Sequence, residues 1–254
     1  MTDTDFSFDN NLYICKVTAD KKKCPTYLRS IPAVAQLFDR GIGFKKRITV
    51  FMGENGIGKS TLLEAIAAAY GFNPEGGTRN FSFSTYNSEL YGALKLSRGG
   101  YPKDGFFLRA ESFYNVASEI ERLDNIPAAS PPIIDGYGGV SLHEQSHGES
   151  FMALAMNRFR GHGLYILDEP EAALSPTAQM ALLARMYELA RNDSQLIIAT
   201  HSVIISALPD ADVYEITEKG INKTEYVKTS HYNIMKHFIN SPEKMVSDLT
   251  GKER

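Results

Sequence analysis

The stretch that constrains this chain most is GENGIGKS, residues 53–60, in which the spacing G-x-x-x-x-G-K-S is complete. The preceding residues, RITVFM, are mostly apolar, as expected for a buried β-strand. The following residues, STLLEAIAAAY, place Leu62, Leu63, Ile66 and Ala69 on one face of a predicted helix. A strand, a glycine-rich turn and a helix in this order are the context required of a phosphate-binding loop. An ordinary glycine-rich surface turn is the alternative, and the two flanking elements argue against it.

Each position of the loop has a predicted role. Gly53, Gly56 and Gly58 let the main chain close around an oxygen-rich anion, which successive N–H groups and the helix N-terminus bind. Lys59 is expected to reach the β- and γ-phosphates of a nucleoside triphosphate, and Ser60 to offer its hydroxyl to Mg²⁺. The other predicted phosphate-binding positions are Glu54, Asn55, Ile57 and Thr61.

Further apolar runs are typical of buried strands, namely DGFFLRA (104–110), GLYILDE (163–169) and QLIIATH (195–201). Helical patterns lie between them, as in SPTAQMALLARMYELARN (175–192). This alternation predicts an α/β fold with a mostly parallel sheet flanked by helices. The segment VYEITEKGINKTEYVK (213–228) adds a predicted antiparallel hairpin.

Polar residues follow two of these strands. Asp168 and Glu169 come at the carboxyl end of an apolar strand, the edge at which ligands bind in open α/β sheets. We expect Asp168 to hold Mg²⁺ and Glu169 to act as the general base toward an attacking water. His201 ends the last apolar strand and is expected to contact the γ-phosphate.

Composition sets outer limits on the class of protein. The chain has 254 residues, 43% of them hydrophobic, and a net charge of −3, so a sizeable core is expected and nothing in the overall charge points to nucleic acid. No apolar run approaches the length of a bilayer span, and the acidic N-terminus is unlike a signal peptide. Two cysteines without a C-x-x-C spacing fit reduced thiols, so we expect a cytoplasmic protein without membrane insertion.

GENGIGKST, SHGES, LYILDEPEAALSP and IIATHS, in this order, resemble the nucleotide-binding domain of ABC-type ATPases. The motif DEPEAALSP is similar to that of the RecF/SMC/OLD-like branch, which includes stand-alone bacterial AAA family ATPases. The resemblance implies a P-loop NTPase fold, ATP and Mg²⁺ as ligands, and ATP hydrolysis. It also implies a single ABC-type domain over 1–254, with an antiparallel β portion and a small inserted helical lobe at about 112–160.

The resemblance assigns SHGES a role that its residues alone leave open. Ser146 and Gly148 would contact the γ-phosphate of an ATP held by a second copy, which makes an ATP-sandwiched homodimer the expected assembly. His147 and Glu149 depart from the family pattern, and we assign Glu149 no phosphate contact. The sequence has no G-x-S-x-G turn, which argues against a serine–histidine hydrolase. A metal site at His143 and His147 is also disfavoured, because the sequence offers no third ligand type.

Several assignments stay open from sequence alone. No glutamine occurs where the family usually has one before the helical lobe, and Glu111 or Ser112 would replace it. The partner is an unidentified protein or DNA, with a repair or defence role favoured. A transporter motor subunit and a slow nucleotide-gated regulatory switch are the alternatives. The candidates for an adenine-stacking ring are Tyr13, Tyr27, Phe38 and Phe44.

Overall fold

A computed structural model describes residues 12–79, 89–127 and 131–251. The strands are β1 (Lys16–Ala19), β2 (Ile42–Gly43), β3 (Ile48–Gly53), β4 (Leu94–Ser97), β5 (Asp104–Arg109), β6 (Gly163–Asp168), β7 (Gln195–Ala199), β8 (Asp212–Thr217) and β9 (Gly220–Thr224). The helices are α1 (Pro32–Asp39), α2 (Lys59–Tyr70), α3 (Phe113–Asp124), α4 (His147–Ala153), α5 (Pro176–Arg191), α6 (Ser230–Asn240) and α7 (Pro242–Thr250). A π-helix, Leu154–Arg158, continues α4.

The main sheet has six strands in the order β5-β6-β7-β3-β8-β9. Strands β5, β6, β7, β3 and β8 pair in parallel, and β9 returns antiparallel to β8 as the predicted hairpin. A second, antiparallel sheet has the order β2-β1-β4. The predicted mixed α/β fold with a mostly parallel sheet is confirmed.

Strand order brings the predicted chemistry to one edge. Strand β3 leads into the glycine-rich loop and lies beside β7, which in turn lies beside β6. In register, Ala199 of β7 pairs with both Phe51 of β3 and Asp168 of β6. Because these strands are parallel, the loop, Asp168 and the residues after Ala199 follow the same carboxyl edge.

Helices cover both faces of the sheet, as continuous apolar strands require. Val50 and Met52 of β3 belong to the cluster that contains α5, while Phe51 between them belongs to the cluster that contains α2. Of the predicted core positions of α2, Leu62, Leu63 and Ile66 are buried; Ala69 is only half-buried.

In the sequence, helices α3 and α4 and the π-helix come between β5 and β6, where the inserted lobe is predicted. Ile120 of α3 and Phe151 of α4 are buried in the same cluster as the sheet residues Phe106 and Leu167. The helices of this region therefore share the main core. The lobe bounds of about 112–160 and the single domain over 1–254 stay predictions, and residues 1–11 and 252–254 lie outside the described part.

The last two helices differ from the others in burial. Neither α6 nor α7 has a buried residue. Their exposed apolar side chains are Ile234, Met235, Phe238, Ile239, Val246 and Leu249. In the part of the chain that the structure describes, no helix has the length and apolar character needed to cross a membrane.

The side chain of Gln195 ties the segment before β1 to the start of β7. Its Oε1 accepts from the N–H groups of Tyr13 (2.9 Å) and Ile14 (2.8 Å), and its Nε2 donates to the Ile14 carbonyl (2.8 Å). Gln195 is fully buried, so water cannot replace its side chain as the hydrogen-bond partner of these backbone groups. One side chain thus satisfies three main-chain groups from a segment far away in sequence.

We expect Gln195→Met to lower the free energy of unfolding by about 2–4 kcal/mol, because similar volume is kept while the buried main-chain groups lose their partners. Urea unfolding checks this. A loss below about 0.5 kcal/mol would contradict the assigned role.

Candidate active site

Two glycines of the loop are required by the space around them. Gly58 is the N-cap of α2 with φ of 98°, and a Cβ there would lie 2.3 Å from Cγ2 of Ile31. Gly53 has φ of 152°, and a Cβ there would lie 2.5 Å from the carbonyl oxygen of Ile216. A side chain at either position would collide with its neighbour, so the loop can close on α2 only with glycine.

Lys59 begins α2 and is 4% exposed. Its Nζ donates to the carbonyl oxygens of two consecutive loop residues, Gly53 (2.8 Å) and Glu54 (2.9 Å). Burial lowers the pKa of Lys59, and the nearby carboxylates of Glu169 and Asp168 oppose that shift. The loop therefore holds a cation inside its curve, where phosphate oxygens would bind. The other predicted positions, Asn55, Gly56, Ile57 and Thr61, lie in or next to this loop.

Ser60 and Asp168 meet across the strand order. The Ser60 hydroxyl donates to Oδ1 of Asp168 at 3.1 Å, although the residues lie on α2 and β6. Asp168 is 4% exposed. Burial raises the pKa of Asp168 to about 7, the Ser60 hydrogen bond opposes the shift, and the Glu169 charge adds to it. A hydroxyl and a buried carboxylate supply the hard oxygen ligands that Mg²⁺ prefers, and a cation would offset the cost of burying the charge.

Glu169 follows in a strained backbone conformation with φ of 51°. Its N–H donates to the carbonyl of Ala199 at the end of β7, which fixes the turn. Its Oε1 lies 3.4 Å from Nε2 of His201, and its side chain is 40% exposed. Asp168 is buried while Glu169 faces open space, so the two adjacent carboxylates have different environments suited to different roles.

His201 has a buried ring nitrogen, Nε2, near the Glu169 carboxylate. Its Nε2 is buried and has no hydrogen-bond partner among the described residues, since the approach to Glu169 is an ion-pair distance without hydrogen-bond geometry. Burial lowers the pKa of His201, and the Lys59 charge lowers it further. A buried ring nitrogen without a hydrogen-bond partner, next to the Lys59 cation, fits a site that contacts an anionic ligand.

Glu171 is a site residue that the sequence analysis did not single out within DEPEAALSP. Its Oε1 accepts from the N–H groups of His201 (2.7 Å) and Ser202 (3.0 Å). The hydroxyl of Ser202 in turn donates to Oε1 of Gln179 on α5 at 2.6 Å. These bonds fix the backbone that carries His201.

The Ser146–Glu149 pair forms a capping box at the start of α4. The Ser146 hydroxyl and N–H both donate to Oε2 of Glu149, at 2.6 and 2.9 Å, and the N–H of Glu149 donates back to the Ser146 hydroxyl at 3.3 Å. These hydrogen bonds lower the pKa of Glu149. Since glutamate and glutamine both complete a capping box, the departure from the family pattern keeps the helix start and adds a negative charge.

Gly148 has a contact within its own chain. A Cβ there would lie 2.8 Å from the carbonyl oxygen of Ala173, in the loop after Glu169. No described hydrogen bond or ion pair joins Ser146 or Gly148 to Lys59, Asp168 or His201. The structure thus brings one predicted set together at the sheet edge, and the SHGES residues stand apart from it in their direct bonds.

Two parts of the chain match models of known protein families. Residues 30–120 match the family described as "AAA domain", and residues 132–207 match the family described as "AAA domain, putative AbiEii toxin, Type IV TA system". Both regions carry parts of the site, since the first contains the loop with Lys59 and Ser60 and the second contains Asp168, Glu169 and His201. Both matches describe an AAA domain, which the sequence motifs predict.

The chain is also similar to proteins of known name. The ribose import ATP-binding protein RbsA of Yersinia pestis is 26% identical over 246 residues, which cover 83% of this chain and 44% of that protein. The chain therefore spans less than half the length of this curated relative. Among solved structures, cbiO1 from Clostridium perfringens has a TM-score of 0.46 at 18% identity, covering 95% of this chain and 100% of that chain. The SMC head domain from Thermotoga maritima has a TM-score of 0.44 at 17% identity, covering 84% and 100%.

The two residues predicted to replace the missing glutamine differ in exposure and in their contacts. Ser112 is buried and its hydroxyl donates to the carbonyl of Glu75, so it is engaged within the fold. The carboxylate of Glu111 is 80% exposed, pairs with Arg109 at 3.0 Å, and contributes to the raised pKa of Asp168. Of the two, Glu111 is the exposed one and stays the candidate replacement.

Burial separates the candidate adenine-stacking rings. Tyr13 and Phe44 are buried and Phe38 is half-buried, whereas Tyr27 is 64% exposed. Tyr27 lies in a short 3-10 helix, Thr26–Ser30, which precedes Ile31, the residue beside Gly58. Of the four candidates, Tyr27 is therefore the one with an exposed ring.

The pKa of Asp168 predicts a pH-dependent stability. The folded chain holds this proton up to about pH 7, whereas the ordinary value is 3.8, so stability is lost as pH rises through that window. We expect Asp168→Asn to raise the free energy of unfolding at pH 8 without Mg²⁺, by up to about 4 kcal/mol, and by less at pH 5. Urea unfolding in chelator at both pH values measures this.

The matched control is Asp248→Asn on α7, an exposed surface position at which the substitution should change the free energy of unfolding by less than about 0.5 kcal/mol. An Asp168→Asn variant that is less stable than the parent at pH 8 would show that the buried carboxylate stabilises the fold. That result would contradict the expectation that burying its charge costs stability in the absence of Mg²⁺.

Proposed function

We propose that the chain binds ATP with Mg²⁺ and hydrolyses it, with two copies sandwiching the nucleotide. The observation that carries this is the arrangement at the carboxyl edge, where buried Lys59 and the Ser60–Asp168 pair lie at the same strand ends as Glu169 and His201. Ser60 and Asp168 would hold the Mg²⁺, which when bound offsets phosphate charge. Lys59 binds the β- and γ-phosphates from inside the loop.

Hydrolysis follows from the remaining two side chains. Water attacks the γ-phosphorus in line with the bridging oxygen, a new P–O bond forms, and the bond to ADP breaks. Glu169 accepts the proton of that water, for which its exposed carboxylate has access. His201 donates from Nε2 to the γ-phosphate, where charge accumulates.

A second copy would complete each site through Ser146 and Gly148. Support comes from the start of α4, where the helix N-terminus favours an anion. To contact a phosphate, the Ser146 hydroxyl must leave the Glu149 carboxylate, and that carboxylate repels the phosphate. The same contact therefore supports a second candidate function, a slow nucleotide-gated regulatory switch with weak closure.

The biological partner is also a proposal. The family description "AAA domain, putative AbiEii toxin, Type IV TA system" favours a defence-like role. A protein or DNA partner in the cytoplasm is part of the same proposal. RbsA carries the name of an import ATP-binding protein, so a transporter motor subunit is the alternative. Stimulation of ATP turnover by added DNA would select the first role, and a low rate that DNA leaves unchanged would favour the switch.

Glu169→Gln should lower kcat for ATP hydrolysis by at least about 100-fold, because the amide cannot accept the proton. It should leave ATP binding intact and trap a dimer at saturating Mg²⁺–ATP, seen by light scattering after size exclusion. Glu188→Gln, on the exposed face of α5, is the matched control and should hydrolyse at the parent rate. A Glu169→Gln chain that turns over like the parent contradicts the assigned base, and a monomeric one contradicts the sandwich.

Ser146→Arg should abolish ATP-dependent dimerisation and turnover, because the long cation blocks the approach of the second copy's nucleotide. ATP binding by the monomer, measured by calorimetry, should change less than about threefold. Loss of the cap costs about 1 kcal/mol of stability, so melting curves must accompany the assay.

The companion variant Glu149→Gln keeps the capping box and removes the charge. We expect it to dimerise at lower ATP concentrations than the parent. If Ser146→Arg hydrolyses ATP at the parent rate, Ser146 does not form half of the site.

A further inference from the structure

His201 lies between two different partners. Its Nδ1 is 3.5 Å from Nε2 of His231, the second residue of α6, and its Nε2 is 3.4 Å from Oε1 of Glu169. The two imidazole rings are 5.6 Å apart between centroids. Each ring nitrogen of His201 thus faces a group of its own.

The protonation pattern of His201 follows from these surroundings. The groups that face the ring are Lys59 and Glu169, the Glu171 carboxylate that binds its backbone, and His231. Burial and the Lys59 charge lower the pKa of His201, so the ring is neutral near pH 7 and carries one proton. Only the form with that proton on Nε2 can donate toward the carboxylate or a γ-phosphate. In that form Nδ1 is an acceptor and needs a donor.

His231 is suited to be that donor. Its other nitrogen, Nδ1, is buried and has no hydrogen-bond partner among the described residues, so nothing there competes for the proton of its Nε2. We propose that His231 is a positioning residue whose Nε2–H donates to Nδ1 of His201 and thereby holds the proton of His201 on Nε2, facing the γ-phosphate. This inference rests on the proposed function.

The fold fixes His231 more firmly than the rest of its helix. Thr229 is fully buried and caps α6 by accepting from the N–H of Tyr232. The N–H of Ser230 donates to Oε1 of Glu215 on β8 at 2.8 Å. The first turn of α6 is therefore anchored to the main sheet. The later residues Ile234 and Met235 line, with both histidines, a cavity of about 420 Å³.

The kinetic test compares three single variants of the full chain. His231→Ala should lower kcat about tenfold with KM for ATP unchanged, because the proton of His201 is no longer held on one nitrogen. His231→Gln places an amide N–H near the original Nε2 and should restore kcat to within about threefold of the parent. Ile234→Ala, one turn along the same helix and in the same cavity, should behave as the parent.

Two further measurements separate positioning from packing. In a His201→Ala background, adding His231→Ala should cause no additional loss, since the role acts only through His201. Long-range ¹H–¹⁵N spectra of histidine at pH 7.5 should show the Nε2–H form of His201 in the parent and a mixture of tautomers in His231→Ala. This second readout needs no turnover.

The outcomes of the proposal and of the function beneath it are distinct. If the parent shows no hydrolysis that depends on Glu169, the proposed function fails, and the spectra still test the histidine pair. If Glu169→Gln is inactive while His231→Ala keeps the parent kcat and a single His201 tautomer, the positioning role is overturned. An equal loss of kcat in Ile234→Ala overturns it too, because the effect would then come from α6 packing.

Discussion

The hydrogen bond between the Ser60 hydroxyl and the Asp168 carboxylate is the contact on which the rest of the site depends. It joins the first turn of α2 to the end of β6, and β7 lies between the two strands that lead to these residues. The bond opposes the burial that raises the pKa of Asp168 to about 7, yet that pKa stays far above its ordinary value. A buried carboxylate that one hydroxyl only partly compensates is poised to take a divalent cation.

Strand β7 leads into His201, and two residues from other parts of the fold hold His201 in place. Glu171 fixes the backbone of His201 and Ser202, while His231 faces the ring of His201 from α6. The backbone of His201 is thus constrained by a residue that precedes it in sequence, and its side chain by one that follows it. Preorganised donors of this kind need no rearrangement when charge develops on a phosphate, which is where an enzyme gains most.

The SHGES segment has an observed role in folding beside the role that we propose for it in nucleotide binding. Ser146 and Glu149 start α4 by satisfying each other's main-chain donors, and Gly148 allows the contact with Ala173 in the loop after Glu169. The capping box explains why serine and an acidic residue occur at this spacing without reference to any ligand. Its charge also sets a cost for the sandwich that we propose, so the stability of α4 and the closure of the dimer are linked.

Local patterns in the sequence were enough to predict the strands, the phosphate loop and the residues that follow β6 and β7, because strand periodicity and glycine spacing act over a few neighbouring residues. They were also enough to favour Ser60, Asp168, Glu169 and His201 as one group, since parallel strands end at one edge. The tertiary structure alone decided that β7 separates β3 from β6, that Gln195 holds the segment before β1, that Glu171 binds the His201 backbone and that His231 faces its ring. These contacts join residues from different elements, and only the packing of strands and helices sets which distant side chains meet.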